Sequence, residues 1–147
     1  MTGVQTCALP ICSYEGIEAY NIYLNGGTIN VSSIDDGINA TTGGGQEHGP
    51  FYVSTGGTIT ITGGIIQVNA QSDGVDVNGS GTMSGGYLII YGPTTDTQSA
   101  IDYDESFNIS GGTVVSLGST GMILPMSSTS TQASDRKSTR LNSSHRL

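Results

Sequence analysis

A double glycine falls at the same place in four similar blocks of the chain. The blocks are NIYLNGGTINV (21–31), TITITGGIIQV (58–68), SGTMSGGYLII (80–90, with Gly81 as one inserted residue) and SFNISGGTVVS (106–116). From one block to the next, the double glycines are 37, 22 and 26 residues apart, and the 22-residue step is the plain unit. A repeat of this length is typical of a solenoid, whose units bury their apolar residues by stacking on one another.

A second motif accompanies each block: GIEA (16–19), DGINA (36–40), DGVDV (73–77) and AIDY (100–103). Apolar and polar residues alternate in both motifs, as expected for strands with one buried face. Three short strands per unit, separated by glycine or Asx corners, predict an all-β, right-handed parallel β-helix of about four coils, truncated, over residues 13–118. An antiparallel sandwich also uses short alternating strands, but it does not require the same residue classes at every strand of the repeat.

Each strand of the unit contributes one predicted core column. The column after the double glycine is Ile29 and Val31, Ile66 and Val68, Leu88 and Ile90, then Val114. The column before it is Ile22 and Leu24, Ile59 and Ile61, Met83, then Phe107 and Ile109. The third column is Ile17 and Ala19, Ile38 and Ala40, Val75 and Val77, then Ile101 and Tyr103.

Two segments interrupt or follow the repeat. Residues 41–57 lengthen the 37-residue step and are predicted to form a loop on one face of the stack, with Glu47 and His48 at a solvated tip. Residues 119–134 are rich in Ser and Thr and are predicted to be a linker.

The two ends differ sharply in composition from the middle. All four Lys and Arg residues lie after residue 135 and both cysteines lie before residue 13, whereas 13–134 carries eleven acids and no base other than His48. The ends GVQTCALPI and DRKSTRLNSSH resemble translated sequencing-adapter DNA. We therefore expect residues 1–12 and 135–147 to be non-native and to pack poorly.

Charge and hydropathy exclude two classes of partner. The acidic middle segment would repel the phosphates of a nucleic acid. No stretch approaches the roughly 18 apolar residues that a membrane span needs, so no membrane insertion is expected.

Acidic side chains are predicted along one face of the stack. The outward positions after the aspartate–glycine turns are Glu18, Asn39, Asp76 and Asp102, with Asn78 and Asp104 one step along. Carboxylates at equivalent positions of neighbouring coils would lie about 5 Å apart and repel each other. Because no Lys or Arg is available, a hard divalent cation is the expected partner, and irregular oxygen geometry favours Ca²⁺.

The predicted Ca²⁺ ligands are Asp35, Asp36, Asp73, Asp76, Asp102 and Asp104. The alternative is that these acids are separately solvated, with Asp36 and Asp73 acting as Asx-turn residues.

The same lack of bases argues against one enzyme class. Polysaccharide lyases of β-helix type use a strong base, commonly Arg or Lys, and 13–134 contains neither. A glycoside hydrolase needs only two carboxylates, which Asp76, Asp102 and Asp104 would supply. A column of acidic residues without a catalytic role is the simpler interpretation, so we expect no enzyme activity.

An apolar stripe is predicted on the strand after the double glycine. Its outward residues are Ile65, Tyr87, Ile89, Tyr91 and Val115, where the first coil has Thr28, Asn30 and Ser32. Tyrosines on such a stripe stack on sugar rings, and we predict carbohydrate contacts for Tyr87, Tyr91, Ile65 and Ile89. Packing of the stripe under the 41–57 loop or another domain is equally consistent with the pattern.

The combination of SSIDDGINA and NGGTINV, followed by QSDGVDV and GGYLII, resembles the bacterial carbohydrate-binding β-helix domain family over roughly 14–118. The resemblance implies a polysaccharide-lyase-like, calcium-containing surface module that binds cellulose and pectin-type glycans. We therefore expect a non-catalytic carbohydrate-binding module of an exported bacterial protein, extracellular or at the cell surface and joined to other domains. A structural or adhesin repeat is the main alternative, and a carboxylate-based glycoside hydrolase is the second.

Overall fold

The computed structural model describes residues 8–42 and 56–135, and that part of the chain contains thirteen β-strands and no helix. In chain order the strands are β1 (Ala8–Ser13), β2 (Ile17–Ala19), β3 (Asn21–Leu24), β4 (Thr28–Ser33), β5 (Ile38–Ala40), β6 (Thr58–Ile61), β7 (Ile65–Ala70), β8 (Val75–Val77), β9 (Ser80–Met83), β10 (Tyr87–Tyr91), β11 (Ile101–Tyr103), β12 (Ser106–Ile109) and β13 (Thr113–Leu117).

The strands form three parallel sheets. Sheet A has the order β1-β4-β7-β10-β13, sheet B has β2-β5-β8-β11, and sheet C has β3-β6-β9-β12. The chain passes through sheets B, C and A in turn, and each strand pairs with its equivalent one coil further on. Four complete coils result, β2–β4, β5–β7, β8–β10 and β11–β13, which confirms the predicted parallel β-helix. Its right-handed sense stays a prediction.

The core lies between the three sheets and contains most of the predicted columns. Residues of the first and last coils have a complete neighbouring coil on one side only, so Ile17, Ile29, Tyr103 and Val114 are partly buried and Ala19 is exposed. In sheet A, Ile29, Ile66, Leu88 and Val114 are register partners in one row. In sheet B, Ile38 and Val75 are fully buried in adjacent strands. Because every side chain in a column meets a similar side chain in the next coil, a short strand of three to six residues is enough to contribute to a continuous core.

Two separate features of the structure explain why a double glycine occurs in the repeat. The second glycine has a positive φ in every block, for example 97° at Gly64 and 87° at Gly86, which L-residues with a side chain rarely adopt. In the second, third and fourth blocks the first glycine lies against a carbonyl oxygen of the preceding coil: a Cβ at Gly63 would lie 2.9 Å from the Asn25 oxygen, and one at Gly85 would lie 2.5 Å from the Thr62 oxygen. Turn conformation and stacking distance thus both require glycine.

Gly81 is not an insertion, contrary to the sequence alignment. It pairs in register with Ile59 of one neighbouring strand and with Phe107 of the other, so it occupies a core position of β9. A Cβ at Gly81 would overlap the Phe107 ring. The missing side chain therefore makes room for the largest fully buried side chain of the core, Phe107.

The N-terminal segment differs from expectation where the structure describes it. We expected residues 1–12 to pack poorly, yet β1 pairs with β4 in parallel over its whole length, from Ala8 opposite Thr28 to Ser13 opposite Ser33. Ile11 packs against the core. The open edge of β4 offers unpaired N–H and C=O groups, which an extended segment of suitable alternation satisfies whatever its origin. Residues 1–7 lie outside the described part.

The segment predicted as a linker covers one end of sheet C. The Ser127 N–H donates to the Phe107 carbonyl at 3.0 Å, and the Phe107 N–H donates to Ser127 Oγ at 2.7 Å. Further along, the Thr131 N–H donates to the Ile109 carbonyl at 3.0 Å, and Met126 packs against the core. Residues 127–132 thus provide the partners that the backbone groups at the exposed edge of β12 need.

Residues 43–55 of the predicted loop, including Glu47 and His48, lie outside the described part, as do residues 136–147. Within the described ranges there is no helix that is long and apolar enough to cross a membrane.

Candidate functional site

Acidic side chains line sheet B and the corner that precedes it. Glu15, Asp36, Asp73 and Ser99 each stand two residues before a strand of sheet B, at equivalent positions of successive coils. The Asp73 N–H donates to Asp36 Oδ1 at 3.0 Å, and the Ser99 N–H donates to Asp73 Oδ1 in the same way. The carboxylates of Asp36 and Asp73 therefore each hold an amide of the next coil, whereas the alternative interpretation of the sequence assigned these two residues to local Asx turns.

The outward column of sheet B matches the predicted one. Glu18, Asn39, Asp76 and Asp102 are register partners in consecutive strands. Three carboxylates thus share one column, and none of them has a Lys or Arg neighbour in the sequence between 13 and 134.

Burial and mutual repulsion raise the pKa values of four acids, Glu15, Asp36, Asp73 and Asp76. Desolvation is the largest cause for each of them, followed by the charge of Asp36 for Glu15 and Asp76. The pKa of Glu15 rises to about 7, that of Asp76 to about 7 and that of Asp73 to about 6. The pKa of Asp36 is also raised, although hydrogen bonds from Ser72 and the Asp73 amide oppose the shift.

Three carboxylates converge more closely than the others. Among the described residues, one group of three acids, Glu15, Asp35 and Asp36, has ligand oxygens that all lie within 4.8 Å of one another. Asp35 and Asp36 belong to the predicted set, but Glu15 does not. Its position before Gly16, equivalent to that of Asp36 before Gly37, was the signal in the sequence that identifies it.

The other four predicted ligands lie along the same face without forming such a group. Among the described residues, Asp73, Asp76, Asp102 and Asp104 do not form a three-ligand cluster. Asp73 uses a carboxylate oxygen on the Ser99 amide, and Asp102 accepts the Tyr103 N–H at 2.9 Å. Two of the six predicted ligands, Asp35 and Asp36, thus lie in the three-carboxylate group, and Ca²⁺ binding by any of the six stays a prediction.

Two oxygens, one within the three-carboxylate group and one beside it, lack hydrogen-bond partners among the described residues. Glu15 Oε2 and Asn39 Oδ1 are both enclosed and unpaired among the described residues. The Asn39 amide nitrogen lies 3.4 Å from Asp36 Oδ2 and also hydrogen-bonds Glu15. A set of carboxylate and amide oxygens is the donor set that Ca²⁺ prefers, so the residues present fit this ion.

The outward face of sheet A has a different character. All four predicted sugar-contact residues project from it: Ile65 and Tyr87 are register partners, and Ile89 and Tyr91 follow on β10. Tyr87 is 54% exposed and Tyr91 is 46% exposed, whereas Ile89 is half-buried. The structure adds Leu117, the register partner of Tyr91 and 58% exposed, which the sequence analysis did not single out.

No outward position of this face in β4, β7, β10 or β13 carries a charge. Those positions are Thr28, Asn30, Ser32, Ile65, Gln67, Asn69, Tyr87, Ile89, Tyr91, Thr113, Val115 and Leu117. The β-helix thus separates an acidic face on sheet B from an uncharged, partly aromatic face on sheet A.

Comparison of the chain with protein families, curated proteins and solved structures gives no match.

Proposed function

We propose that this chain is a non-catalytic carbohydrate-binding module of an exported protein, and that the uncharged face of sheet A binds a plant-type polysaccharide. The exposure of Tyr87 and Tyr91 on one strand is the observation that carries the proposal. They are four residues apart, about 13 Å along a strand, which suits successive contacts with an extended polymer. Tyrosine rings present an apolar face to a sugar ring and a hydroxyl to its polar edge.

Binding to insoluble cellulose and to pectin tests this proposal. We expect the wild-type chain to sediment with at least one of them. Tyr87→Ala or Tyr91→Ala should weaken binding by roughly tenfold each, since an aromatic side chain that becomes buried against a ligand contributes about 1.4 kcal/mol or more to the binding free energy. Tyr23→Ala is the matched control, because Tyr23 is 65% exposed but lies on sheet C. Equal loss in the control, or no retention on either glycan, would contradict the proposal.

The two alternatives give different results in the same assay. A structural or adhesin repeat would retain neither glycan. A glycoside hydrolase is favoured by one observation: Asp76, with its pKa raised to about 7, is the register partner of Asp102. It would release reducing ends, and Asp76→Asn or Asp102→Asn would abolish the release.

We also propose that Ca²⁺ binds the group of Glu15, Asp35 and Asp36 and stabilises the acidic face. Binding to the folded state alone adds about 2.7 kcal/mol at a hundredfold excess over Kd. Millimolar Ca²⁺ should therefore raise the melting temperature, and Asp35→Asn should remove most of the increase. Asp104→Asn is the matched control on the same face. An equal increase with K⁺ at matched ionic strength would contradict a specific site. If only Asp104→Asn reduced the increase, Ca²⁺ would bind elsewhere on the acidic face and not at Glu15, Asp35 and Asp36.

A further inference from the structure

The chain contains two Asn–Gly pairs, Asn25–Gly26 and Asn78–Gly79, and the fold treats them differently. Asn25 and Gly26 are both exposed at the corner between β3 and β4. Among the described residues, nothing lies within 4 Å of a Cβ built on Gly26. By contrast Gly79 is buried, and a Cβ there would overlap the Gly57 carbonyl.

Backbone hydrogen bonds reinforce the difference. The Asn78 N–H donates to the Ala40 carbonyl at 3.0 Å, and the Asn78 and Gly79 carbonyls accept from Gly56 and Glu105 at 2.8 and 3.0 Å. The Gly26 N–H has no partner among the residues that the structure describes. The peptide nitrogen after Asn25 is thus free to move, whereas the Asn78 segment is held by both neighbouring coils.

One neighbour of Asn25 also favours attack on its side chain. The Thr62 hydroxyl donates to Asn25 Oδ1 at 2.9 Å. A donor on the oxygen where negative charge develops lowers the barrier to nucleophilic attack at the attached carbon.

We propose that Asn25 is a site of spontaneous deamidation and that packing protects Asn78. The Gly26 nitrogen attacks Asn25 Cγ, so that the N–Cγ bond forms, the Cγ–Nδ2 bond breaks, and ammonia leaves with the proton of the Gly26 amide. Water then opens the cyclic imide at either carbonyl and gives an aspartyl or isoaspartyl residue at position 25. The net change exchanges one amide nitrogen for one oxygen and needs only water.

The modification has a structural consequence. It adds a negative charge to a chain whose formal net charge is already −8. The isoaspartyl form also inserts a backbone methylene at a corner where the Asn25 carbonyl lies under Gly63 and its side chain bonds Thr62. We therefore expect the first coil to loosen while the later coils keep their register.

The full chain incubated at mildly alkaline pH provides the test. Chymotryptic peptides should show an amide-to-acid mass gain at Asn25 that accumulates about tenfold or more faster than at Asn78, because reaction at Asn78 first requires local opening. Trypsin is unsuitable, since 13–134 contains no Lys or Arg. Labelling by an isoaspartyl methyltransferase identifies the isomer formed.

Three further measurements test what causes the difference in reaction rate between Asn25 and Asn78. In concentrated urea the two sites should react at similar rates. Gly26→Ala, which the open surroundings tolerate, should suppress the reaction at Asn25, and Thr62→Val should slow it several-fold. Equal rates at both sites in the folded chain, or a difference that persists in urea, would overturn the proposal. Circular dichroism of each variant confirms that the fold is retained.

Discussion

Replacing Phe107 with alanine is expected to lower the free energy of unfolding by about 3–5 kcal/mol, a large part of the stability of a domain of this size. Phe107 is completely buried, and its ring fills the volume that Gly81 leaves open in the next strand. Without the ring, two adjacent coils would face the same cavity. Equilibrium urea unfolding followed by circular dichroism measures the loss.

A double-mutant cycle tests the pairing with Gly81 directly. Gly81→Ala should destabilise the wild type, because its methyl group would overlap the Phe107 ring. In the Phe107→Ala background the same methyl group enters the cavity, so its effect should become neutral or favourable. Tyr23→Ala, on the outer face of sheet C, should change stability by less than about 0.5 kcal/mol. Additive effects of the two core changes would refute the complementarity.

The Phe107–Gly81 pair also shows where sequence reasoning reaches its limit. The alternation of apolar residues placed Phe107 and Met83 in one column, since period-2 patterning depends only on neighbouring residues. It could not show that Gly81 is a core position, because a glycine breaks the apolar pattern and its meaning depends on a side chain 26 residues later.

The segments that cover the sheet edges could not be predicted from the sequence, for a related reason. Both β1 and residues 127–132 join the fold through hydrogen bonds to the backbone groups at the edges of β4 and β12, and the Ser127 and Ser130 hydroxyls take part at β12. Such bonds are available to almost any sequence, so composition gives little warning of them. The convergence of Glu15 with Asp35 and Asp36 was not predicted, because it depends on how adjacent coils stack, whereas Asp35 and Asp36 are neighbours in the chain.

The second large effect concerns the acids of sheet B. In the presence of a chelator, Asp76→Asn is expected to stabilise the protein at pH 8 by about 1–3 kcal/mol, after allowance for the screening of a partly exposed group. Asp76 is half-buried between Asn39 and Asp102, and burial, followed by the charges of Asp36 and Asp73, raises its pKa to about 7. The amide keeps the shape of the side chain and removes the charge.

The direction of the pH dependence follows from linkage. In the unfolded chain these carboxyls ionise near pH 4, whereas in the folded chain Glu15 and Asp76 ionise near pH 7 and Asp73 near pH 6. Between those values the folded state holds more protons than the unfolded state. Their contribution is therefore most favourable below about pH 4, falls as the pH rises, and is fully lost above about pH 7.

Chemical unfolding at several pH values between 4 and 8, without divalent cations, checks both expectations. Wild-type stability should decline over that range more steeply than that of Asp76→Asn, and the two proteins should be closest at pH 4. Glu18→Gln is the matched control, because Glu18 occupies the same column in the first coil but is exposed. If Asp76→Asn destabilises the protein at pH 8, the carboxylate contributes a favourable contact that outweighs its desolvation. An advantage for Asp76→Asn that disappears on adding Ca²⁺ would instead indicate that the ion relieves the same repulsion in the wild type.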